Sequence, residues 1–478
     1  MTMKHFVLIT QKSAYPQMGG LYLADAAARF GIRTHIVPTD VPKETLDDLI
    51  STYDPIAVGC SVMTAPELVD FARHSIYVQQ KYNAGRCELP VIWGGMHPTI
   101  VAGQTLQEPY IDYVVTGEAE ITLPRLLLSI SEGKGPDTKH IPVTTPPVLD
   151  EFKPRWDDSA LEEFLFPESH SVHASVDFSH QNIFYYLLTS RGCTYKCNFC
   201  WEVARMADLR AEGGEGLAWR SHSLAWIENQ LQEIEDRLVR HDRVMDGVGF
   251  WDDMIFGRGR LEHTERARQI FQLMQSRTFG YLLEARANQL ISTTDKWGRG
   301  SLREADLYQF LKETGCMQVF VGTESGNQET LNLIQKGTKI EDYYRLVELS
   351  RGIGLPLRFS MIVGFPHETD QSVNETLDFV EKMEDEPFIS VSGPKLFTPY
   401  PGTPQYAMAI EAGMVPPKNT LDWARLNRYS DFRGLFPWLR TNCHESTLRR
   451  IDNFFGRVSA EKRHQASDDS ILELIRRH

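Results

Sequence analysis

The sequence predicts an α/β protein made of an N-terminal doubly wound, Rossmann-like parallel sheet, a partial (βα)6 barrel and a mostly helical C-terminal region. Short runs rich in Val and Ile alternate with helical stretches over roughly the first 125 residues. The same alternation restarts after a proline-rich interval, from Ile183 onward. Strands that alternate with helices are typical of parallel sheets covered by helices. The length of 478 residues exceeds that of one ordinary domain, so more than one such unit is expected.

The N-terminal sheet is expected to contain buried strands that are brief, apolar and bounded by turn residues. These strands are His5–Thr10, Thr34–Val37, Ile56–Ser61, Pro90–Trp93 and Tyr113–Thr116. The spacing of apolar residues predicts helices at Leu21–Phe30, Leu46–Thr52 and Ala65–Tyr82. Ligands of doubly wound sheets bind outside the carboxyl ends of the strands, so the residues just after these strands are the first candidates for a site.

The second unit is expected to have six strands and to close partly into a barrel. Its strands are Tyr185–Thr189, Gly247–Trp251, Tyr281–Ala285, Met317–Val321, Leu357–Val363 and Ile389–Leu396. We therefore divide the chain into a Rossmann-like domain over 1–135, a connector over 136–180, a partial barrel over 181–412 and a helical region over 413–478.

Charge and composition narrow the class of protein. The formal net charge of -14 argues against a broad nucleic-acid surface, because phosphate binding needs a basic one. The apolar run near the N-terminus is too short for a signal peptide or a membrane span. Seven cysteines in 478 residues do not indicate a disulfide framework, so a reducing, cytoplasmic location is expected.

Three of the cysteines lie within eight residues, directly after the first barrel strand. Cys193, Cys197 and Cys200 form a C-x-x-x-C-x-x-C motif at a strand end, where catalytic groups of βα barrels collect. Three thiolates at this spacing can bind three corners of a cubane iron-sulfur cluster and leave the fourth iron open. The alternatives are a zinc site completed by a histidine, or three unrelated buried thiols. The histidines considered are His170, His173 and His180. Small buried hydrophobic roles are expected for the other cysteines, Cys60, Cys87, Cys316 and Cys443.

The motif in its context T-S-R-G-C resembles the signature loop of the radical S-adenosylmethionine superfamily. The resemblance extends over residues 183 to about 410. It implies a [4Fe-4S] cluster held by Cys193, Cys197 and Cys200, with S-adenosyl-L-methionine chelated to the open iron. Three later segments also resemble motifs of the family, namely Lys336-Gly337-Thr338, Gly364–Thr369 and Pro399–Pro404.

The resemblance also implies contacts to S-adenosylmethionine from the ends of the next strands. Asp252 and Asp253 could accept hydrogen bonds from the methionine amine, or they could cap the strand end. Arg286 could pair with the methionine carboxylate, or form a structural salt bridge. Glu324 and Ser325 correspond to a pair near the ribose or amino group; the alternative is a surface loop.

The N-terminal domain resembles the cobalamin-binding domain that precedes the barrel in one large subgroup of the superfamily. Its cofactor contacts are expected after the predicted strands. These residues are Ser61, Thr64, Gly94, Gly95, Gly117 and Glu118. The cobalt-ligating motif D-x-H-x-x-G is missing, and Lys12–Gly20 stands in its place. His97 is therefore expected to be a turn residue rather than a cobalt ligand.

Together these features imply an enzyme that cleaves S-adenosylmethionine to a 5'-deoxyadenosyl radical. The leading hypothesis is a cobalamin-dependent C-methyltransferase acting on a small molecule, supplied with electrons by a flavodoxin or ferredoxin. The first alternative is a cobalamin-linked radical enzyme that catalyses oxidative cyclisation or rearrangement without methyl transfer. A minor alternative is a non-catalytic metal-binding protein.

Overall fold

The computed structural model describes residues 3–12, 17–65, 67–83, 89–143, 145–156, 184–211, 219–240, 245–257, 261–294, 304–426 and 432–462. The N-terminal domain contains a parallel sheet with the strand order β2-β1-β3-β4-β5-β6. The strands are β1 (Lys4–Thr10), β2 (Ile32–Pro38), β3 (Val58–Ser61), β4 (Val91–Gly94), β5 (Tyr113–Thr116) and β6 (His140–Pro142). All the strands predicted for this domain are present, with ends that differ by up to two residues.

Helices cover the N-terminal sheet, and the three predicted ones are present with shifted ends. They are α1 (Met18–Ala28), α2 (Lys43–Tyr53), α3 (Leu68–Tyr82), α4 (Met96–Ile100), α5 (Ala102–Thr105) and α6 (Thr122–Ser131). Helix α4 contains His97, which was expected to be a turn residue; the histidine is buried in this short helix instead.

The sixth strand of the N-terminal sheet was not predicted. Strand β6 pairs in parallel with β5 and lies within the interval 136–180 that the sequence analysis took for a connector. It is three residues long and ends at Pro142, and proline is tolerated at the edge of a sheet because it has no N–H to donate. The strand is too short to show a period in the sequence. The proposed boundaries at 135, 180 and 412 stay predictions.

The second sheet is also parallel, and its strands follow one another in the order β7-β10-β11-β12-β13-β14, as in the wall of a barrel. They are β7 (Phe184–Leu187), β10 (Gly247–Phe250), β11 (Gly280–Arg286), β12 (Cys316–Glu324), β13 (Leu357–Val363) and β14 (Ile389–Leu396). All six predicted barrel strands are confirmed. A short antiparallel ribbon, β8 (Ser190–Arg191) with β9 (Arg220–Ser221), stands at the mouth of this sheet.

The side chains of the barrel strands alternate between two environments. Tyr281 and Leu283 of β11 belong to the large core under the helices, whereas Leu282 packs with Tyr186 in a separate small cluster. Since side chains alternate along a strand, Glu284 and Arg286 point to the same inner side as Leu282. Met18 of α1 also packs against this inner cluster, so the N-terminal domain helps to enclose the barrel interior.

The barrel helices follow their strands, and the C-terminal helices return to the N-terminal domain. The barrel helices are α7 (Trp201–Ala211), α8 (Leu224–Arg240), α9 (Leu261–Met274), α10 (Ala287–Thr294), α11 (Glu304–Glu313), α12 (Gln328–Leu333), α13 (Ile340–Ile353), α14 (Asp370–Glu384) and α15 (Pro404–Glu411). The C-terminal ones are α16 (Thr420–Leu426), α17 (Phe432–Leu435), α18 (Pro437–Asn442) and α19 (Glu445–Lys462).

Helix α16 is bonded to the N-terminal domain at two points. Trp423 Nε1 donates a hydrogen bond of 2.6 Å to Gln104 Oε1, and the Thr420 backbone N–H donates one of 2.9 Å to Glu108 Oε1. The C-terminal region therefore holds the two sheets together. None of the helices in the described ranges is long and apolar enough to cross a membrane.

Gly59 marks the tightest contact between β3 and β1 and gives a test of the packing. A Cβ atom on Gly59 would lie 2.3 Å from Cζ of Phe6 and 3.3 Å from Cδ1 of Leu8. We expect Gly59→Ala to lower the free energy of unfolding by about 1–3 kcal/mol, because the buried ring has to move. Gly103→Ala is the control, since a Cβ there meets nothing within 4 Å. Urea unfolding of both variants measures the difference, and equal midpoints would contradict this packing.

Candidate functional site

The cysteine loop leaves the barrel just after β7 and β8. Cys197 is buried, while Cys193 and Cys200 are partly buried, and α7 begins at the residue after Cys200. Asn198 fixes the middle of the loop: its backbone N–H donates to the Ile334 carbonyl at 3.1 Å and its Nδ2 donates to the Leu333 carbonyl at 2.7 Å. The three cysteines thus stand on one anchored loop at the carboxyl ends of the barrel strands.

Asp252 accepts hydrogen bonds from the residues at the start of this loop. One carboxylate oxygen accepts hydrogen bonds from Thr189 Oγ1 at 2.9 Å and Ser190 Oγ at 2.5 Å, and the other accepts from the Thr189 backbone N–H at 3.2 Å. Burial raises the pKa of Asp252, although these donors oppose the shift. Both oxygens are thus engaged by the strand end, which is the capping role considered for this residue.

Asp253 has a different position from Asp252. It accepts a hydrogen bond of 3.3 Å from the backbone N–H of Gly192, next to Cys193, and also borders the cavity described below. Burial and the nearby Glu202 carboxylate raise its pKa to about 6. Its position between loop and cavity suits the predicted contact to S-adenosylmethionine, which stays a prediction.

Arg286 faces the cysteine loop. Its Nη1 lies 2.9 Å from Cys197 Sγ, its Nη2 donates to the Lys336 carbonyl, and its guanidinium stacks 3.8 Å from the centroid of the Tyr195 ring. A cation at this distance stabilises a thiolate. Arg286 therefore lies beside the cysteines. Its pairing with a methionine carboxylate stays a prediction.

Glu324 and Ser325, at the end of β12, contact different parts of the structure. Glu324 has a positive φ of 70° and forms a buried ion pair of 2.7 Å with Lys336 Nζ. Ser325 Oγ is buried and lies 2.9 Å from Thr376 Oγ1, and it accepts a hydrogen bond of 3.1 Å from the Asn327 backbone N–H. Ser325 therefore supports the turn, whereas Glu324 is held near the barrel interior by Lys336. Lys336 belongs to a segment that resembles a family motif and to which the sequence analysis assigned no role at the site.

Burial favours the protonated form of the Cys193 and Cys200 thiols. It raises the pKa of Cys193 to about 11 and raises that of Cys200 well above its usual value. Metal binding would remove these protons, because the thiolate is the ligand. In the described part of the chain, no group of three His, Cys, Asp or Glu side chains is arranged to hold a single metal ion. His170, His173 and His180 lie outside the described residues, as does Cys87.

A cavity of about 400 Å³ lies between the two domains. Gly59, Ser61, Gly94 and Gly117 border it from the N-terminal sheet. The barrel contributes Leu188, Ser190, Gly192, Trp201, Trp251 and Asp253. Residues that were predicted to contact cobalamin and residues next to the cysteine motif therefore border the same cavity.

Five of the six residues predicted to contact cobalamin border this cavity. They are Ser61, Gly94, Gly95, Gly117 and Glu118. Thr64 does not; its Oγ1 lies 3.0 Å from Nδ1 of the buried His97. Burial lowers the pKa of His97 to about 3, so this histidine is neutral. Its position in α4 is that of a core residue rather than a metal ligand.

Gly95 has a backbone reason to be glycine. Its φ is 96°, and a Cβ there would lie 2.8 Å from the Val62 backbone nitrogen. The sequence analysis predicted Gly95 as a cofactor contact. For Gly95, the turn itself requires the missing side chain.

Charged side chains line one wall of the cavity, and the sequence analysis missed most of them. Glu118 and Glu120 follow β5, Arg191 ends β8 and Arg205 lies in α7, and all four border the cavity. Arg220 of β9 pairs with Glu118. Arg191 Nη1 lies 2.9 Å from Glu118 Oε2 and 2.5 Å from Glu120 Oε1. Two motifs in the sequence could have indicated this charged cluster. T-G-E-A-E places acidic side chains, and S-R-G-C a basic one, in segments that both follow buried strands.

Two family models match the chain in succession. A B12 binding domain matches residues 4–127, and the radical SAM superfamily matches residues 187–380. An uncharacterized methyltransferase of Pyrococcus horikoshii is 25% identical over 429 residues, covering 86% of this chain and 81% of the relative. An anaerobic magnesium-protoporphyrin IX monomethyl ester cyclase of Rubrivivax gelatinosus is 24% identical over 362 residues, covering 70% of this chain and 56% of the relative.

Solved structures share the whole arrangement of domains. The radical S-adenosylmethionine methyltransferase TsrM from Kitasatospora setae, with tryptophan and an S-adenosylmethionine analogue bound, aligns with a TM-score of 0.60 and 18% identity over 87% of this chain and 78% of its own. The cobalamin-dependent radical enzyme OxsB, with aqua-cobalamin and S-adenosylmethionine bound, aligns with a TM-score of 0.56 and 16% identity over 82% of this chain and 53% of its own. At these identities the likeness shows the fold.

The fold, the cysteine loop and the matched domains define a radical S-adenosylmethionine enzyme. Because a B12-binding domain precedes the barrel, the chain belongs to the cobalamin-dependent branch, which includes methyltransferases. Its cofactors are a [4Fe-4S] cluster, S-adenosylmethionine and cobalamin. The donor groups fit them: three thiols on one loop beside a guanidinium, and a cavity bordered by glycine backbone.

Glu284, on the inner side of β11, predicts a pH-dependent stability. Burial, reinforced by the Asp253 carboxylate, raises its pKa from 4.5 to about 8. The folded state therefore keeps a proton that the unfolded state releases above about pH 4.5, so this group makes stability fall as pH rises towards 8. We expect Glu284→Gln to stabilise the cofactor-free protein by about 4 kcal/mol at pH 8 and by about 1 kcal/mol at pH 5.

The matched control is Glu348→Gln, which changes an exposed glutamate on α13. Urea unfolding at pH 5, 6, 7 and 8 gives the free energies of all three proteins. The difference between Glu284→Gln and the parent should grow with pH, while that of the control should stay flat. Parallel curves for Glu284→Gln and the parent would contradict the raised pKa.

Proposed function

We propose that this enzyme transfers a methyl group from cobalamin to a carbon atom of a small-molecule substrate. The observation that carries the proposal is the shared cavity, whose walls come from the strand ends of the B12-binding domain and from the cysteine loop of the barrel. A substrate at this point would face both reactive cofactors. The relative from Pyrococcus horikoshii, called a methyltransferase, matches over most of both chains and supports this choice.

Cys193, Cys197 and Cys200 are proposed as the cluster ligands. Their anchored loop, the 2.9 Å contact of Arg286 with Cys197 and the burial of the site favour thiolate ligands shielded from water. Arg286 offsets part of the negative charge that three thiolates bring. Asp253 and Glu324, beside this loop and at the end of β12, are the proposed contacts for S-adenosylmethionine.

Ser61, Gly94, Gly95, Gly117 and Glu118 are proposed to border cobalamin. The described lining of the cavity contains no histidine, in keeping with the missing cobalt-ligating motif. Thr64 is proposed to act through His97, which it touches, rather than on the cofactor.

When bound, the cluster supplies the electron that cleaves S-adenosylmethionine, and cobalamin supplies the methyl group. The chain's own contribution is orientation and exclusion of water. Leu188, Trp201 and Trp251 give the barrel side of the cavity an apolar wall. Asp253, whose pKa is about 6, can exchange a proton near neutral pH at the edge of that wall.

A second candidate is oxidative cyclisation without methyl transfer. It is favoured by the two cyclase relatives, which match 70% and 82% of this chain. The chain spans 56% and 60% of the length of those relatives. A non-catalytic metal-binding role is the minor alternative. We further propose a cytoplasmic location and a flavodoxin or ferredoxin as electron donor.

Product analysis distinguishes the candidates. We expect anaerobically reconstituted enzyme, given S-adenosylmethionine, reductant and candidate small molecules, to form 5'-deoxyadenosine together with S-adenosylhomocysteine. Liquid chromatography with mass spectrometry measures both. 5'-Deoxyadenosine alone, with a cyclised or rearranged product, would favour the second candidate. Formation of neither by iron-loaded enzyme would support the non-catalytic role.

The cysteine assignment is tested by Cys193→Ala, Cys197→Ala and Cys200→Ala combined. We expect the variant to lose the brown chromophore and nearly all iron, because three cluster ligands are gone. Cobalamin binding, followed by absorbance, should stay close to that of the parent. The control combines Cys316→Ala with Cys443→Ala, two cysteines that lie outside both the loop and the lining of the cavity. Retention of iron by the triple variant, or zinc in place of iron in the parent, would refute the assignment.

A further inference from the structure

The β8–β9 ribbon carries two arginines directly opposite each other. Arg191 pairs with Arg220 in the antiparallel register, and Ser190 pairs with Ser221. Like charges directly opposite on a two-stranded ribbon destabilise it. Arg191 is followed at once by Gly192 and Cys193, so any fraying of the ribbon frees the start of the cysteine loop.

A carboxylate from the other domain lies between the two arginines. Glu118 Oε2 is 2.9 Å from Arg191 Nη1, and Glu118 Oε1 pairs with Arg220 Nη2. Arg205, on the helix after Cys200, is 3.7 Å from the same Oε1. One carboxylate thus touches cations on both sides of the cysteine motif.

The charges in this cluster are mutually stabilised. Burial alone would raise the pKa of Glu118, but Arg191 and Arg220 outweigh it and hold the pKa below its usual value. The cluster is partly or fully buried, and the side chain of Arg191 is only 12% exposed. A buried ion cluster that loses one partner leaves an uncompensated charge. Removing Glu118 therefore leaves Arg220 without this carboxylate and directly opposite Arg191, which keeps its contact with Glu120.

Glu118 is also tied to the glycine turns on the N-terminal side of the cavity. The preceding residue, Gly117, has a φ of 87°, and its backbone N–H donates to Thr99 Oγ1 at 3.0 Å. Thr99 Oγ1 in turn donates to the Gly95 carbonyl at 2.7 Å. Gly95, Thr99, Gly117 and Glu118 all border the cavity. A continuous set of contacts thus runs from this wall to Arg191.

We propose that Glu118 is a positioning residue that neutralises the Arg191–Arg220 pair and makes the order of the cysteine loop depend on the B12-binding domain. Through Thr99 and Gly117, occupancy of the cavity by cobalamin and order of the loop are coupled. The role of Glu118 at the ribbon is independent of the reaction catalysed. The effect of cobalamin on the order of the loop rests on the proposed cobalamin site.

The test is amide hydrogen exchange of the full-length chain, followed by mass spectrometry of peptides covering residues 189–200. In the metal-free protein, Glu118→Gln should exchange about tenfold faster in these peptides, because the ribbon opens. Glu108→Gln is the matched control, since Glu108 is also a carboxylate of the N-terminal domain that bonds across the interface, to Thr420. It should leave these peptides unchanged.

The double variant Glu118→Gln with Arg220→Gln decides the mechanism. Removing one arginine removes the repulsion, so exchange should return to within about threefold of the parent. Hydroxocobalamin should slow exchange of the same peptides in the parent and have a smaller effect in Glu118→Gln. Unchanged exchange in Glu118→Gln, or additive effects in the double variant, would overturn the role of Glu118.

Absorbance of bound cobalamin, recorded in the same samples, separates two failures. If the parent binds hydroxocobalamin and its loop exchange does not change, the coupling is refuted. If the parent binds no hydroxocobalamin, both the cobalamin site and the coupling are refuted. The exchange rates of the metal-free variants still test the role of Glu118 at the ribbon.

Discussion

The constraint on which the site depends is strand direction. All strands of a parallel sheet end at the same edge, and here the carboxyl edges of two parallel sheets meet at one cavity. The chain segments at the ends of β3, β4, β5, β7 and β10 all border this space. The glycine turns after β4 and β5 reach it from one side and the cysteine loop from the other. Helices and core packing serve to keep these two edges opposed.

The buried polar contacts around the cysteine loop are the second layer of this arrangement. Asp252 engages Thr189 and Ser190 below the loop, and Asn198 anchors its middle to the carbonyls of residues 333 and 334. A buried carboxylate with three donors is well compensated, so the strand end is held in one geometry. Arg286 adds a cation beside Cys197, where negative charge collects upon metal binding.

Much of this could be predicted from the sequence, because strands and motifs are local features. The cysteine spacing and the position of Asp252 after a barrel strand are visible in a short window of residues. The roles of individual side chains were harder to predict. Asp252 is engaged by Thr189 and Ser190, Ser325 by Thr376, and Thr64 by His97. The choice among hydrogen-bond partners depends on such neighbours, which are distant in sequence. Strand β6 was missed because three residues carry no periodic signal.

The bonds between α16 and the N-terminal domain affect how the holoenzyme forms. This domain is fastened on one side by the Glu118 ion pairs and on another by Gln104 and Glu108. Two separated attachments resist the hinge opening that a single one would permit. For the two domains to part and admit a corrin ring, one of these attachments would have to open. Together they favour a fixed spacing between the two sheet edges at the cavity.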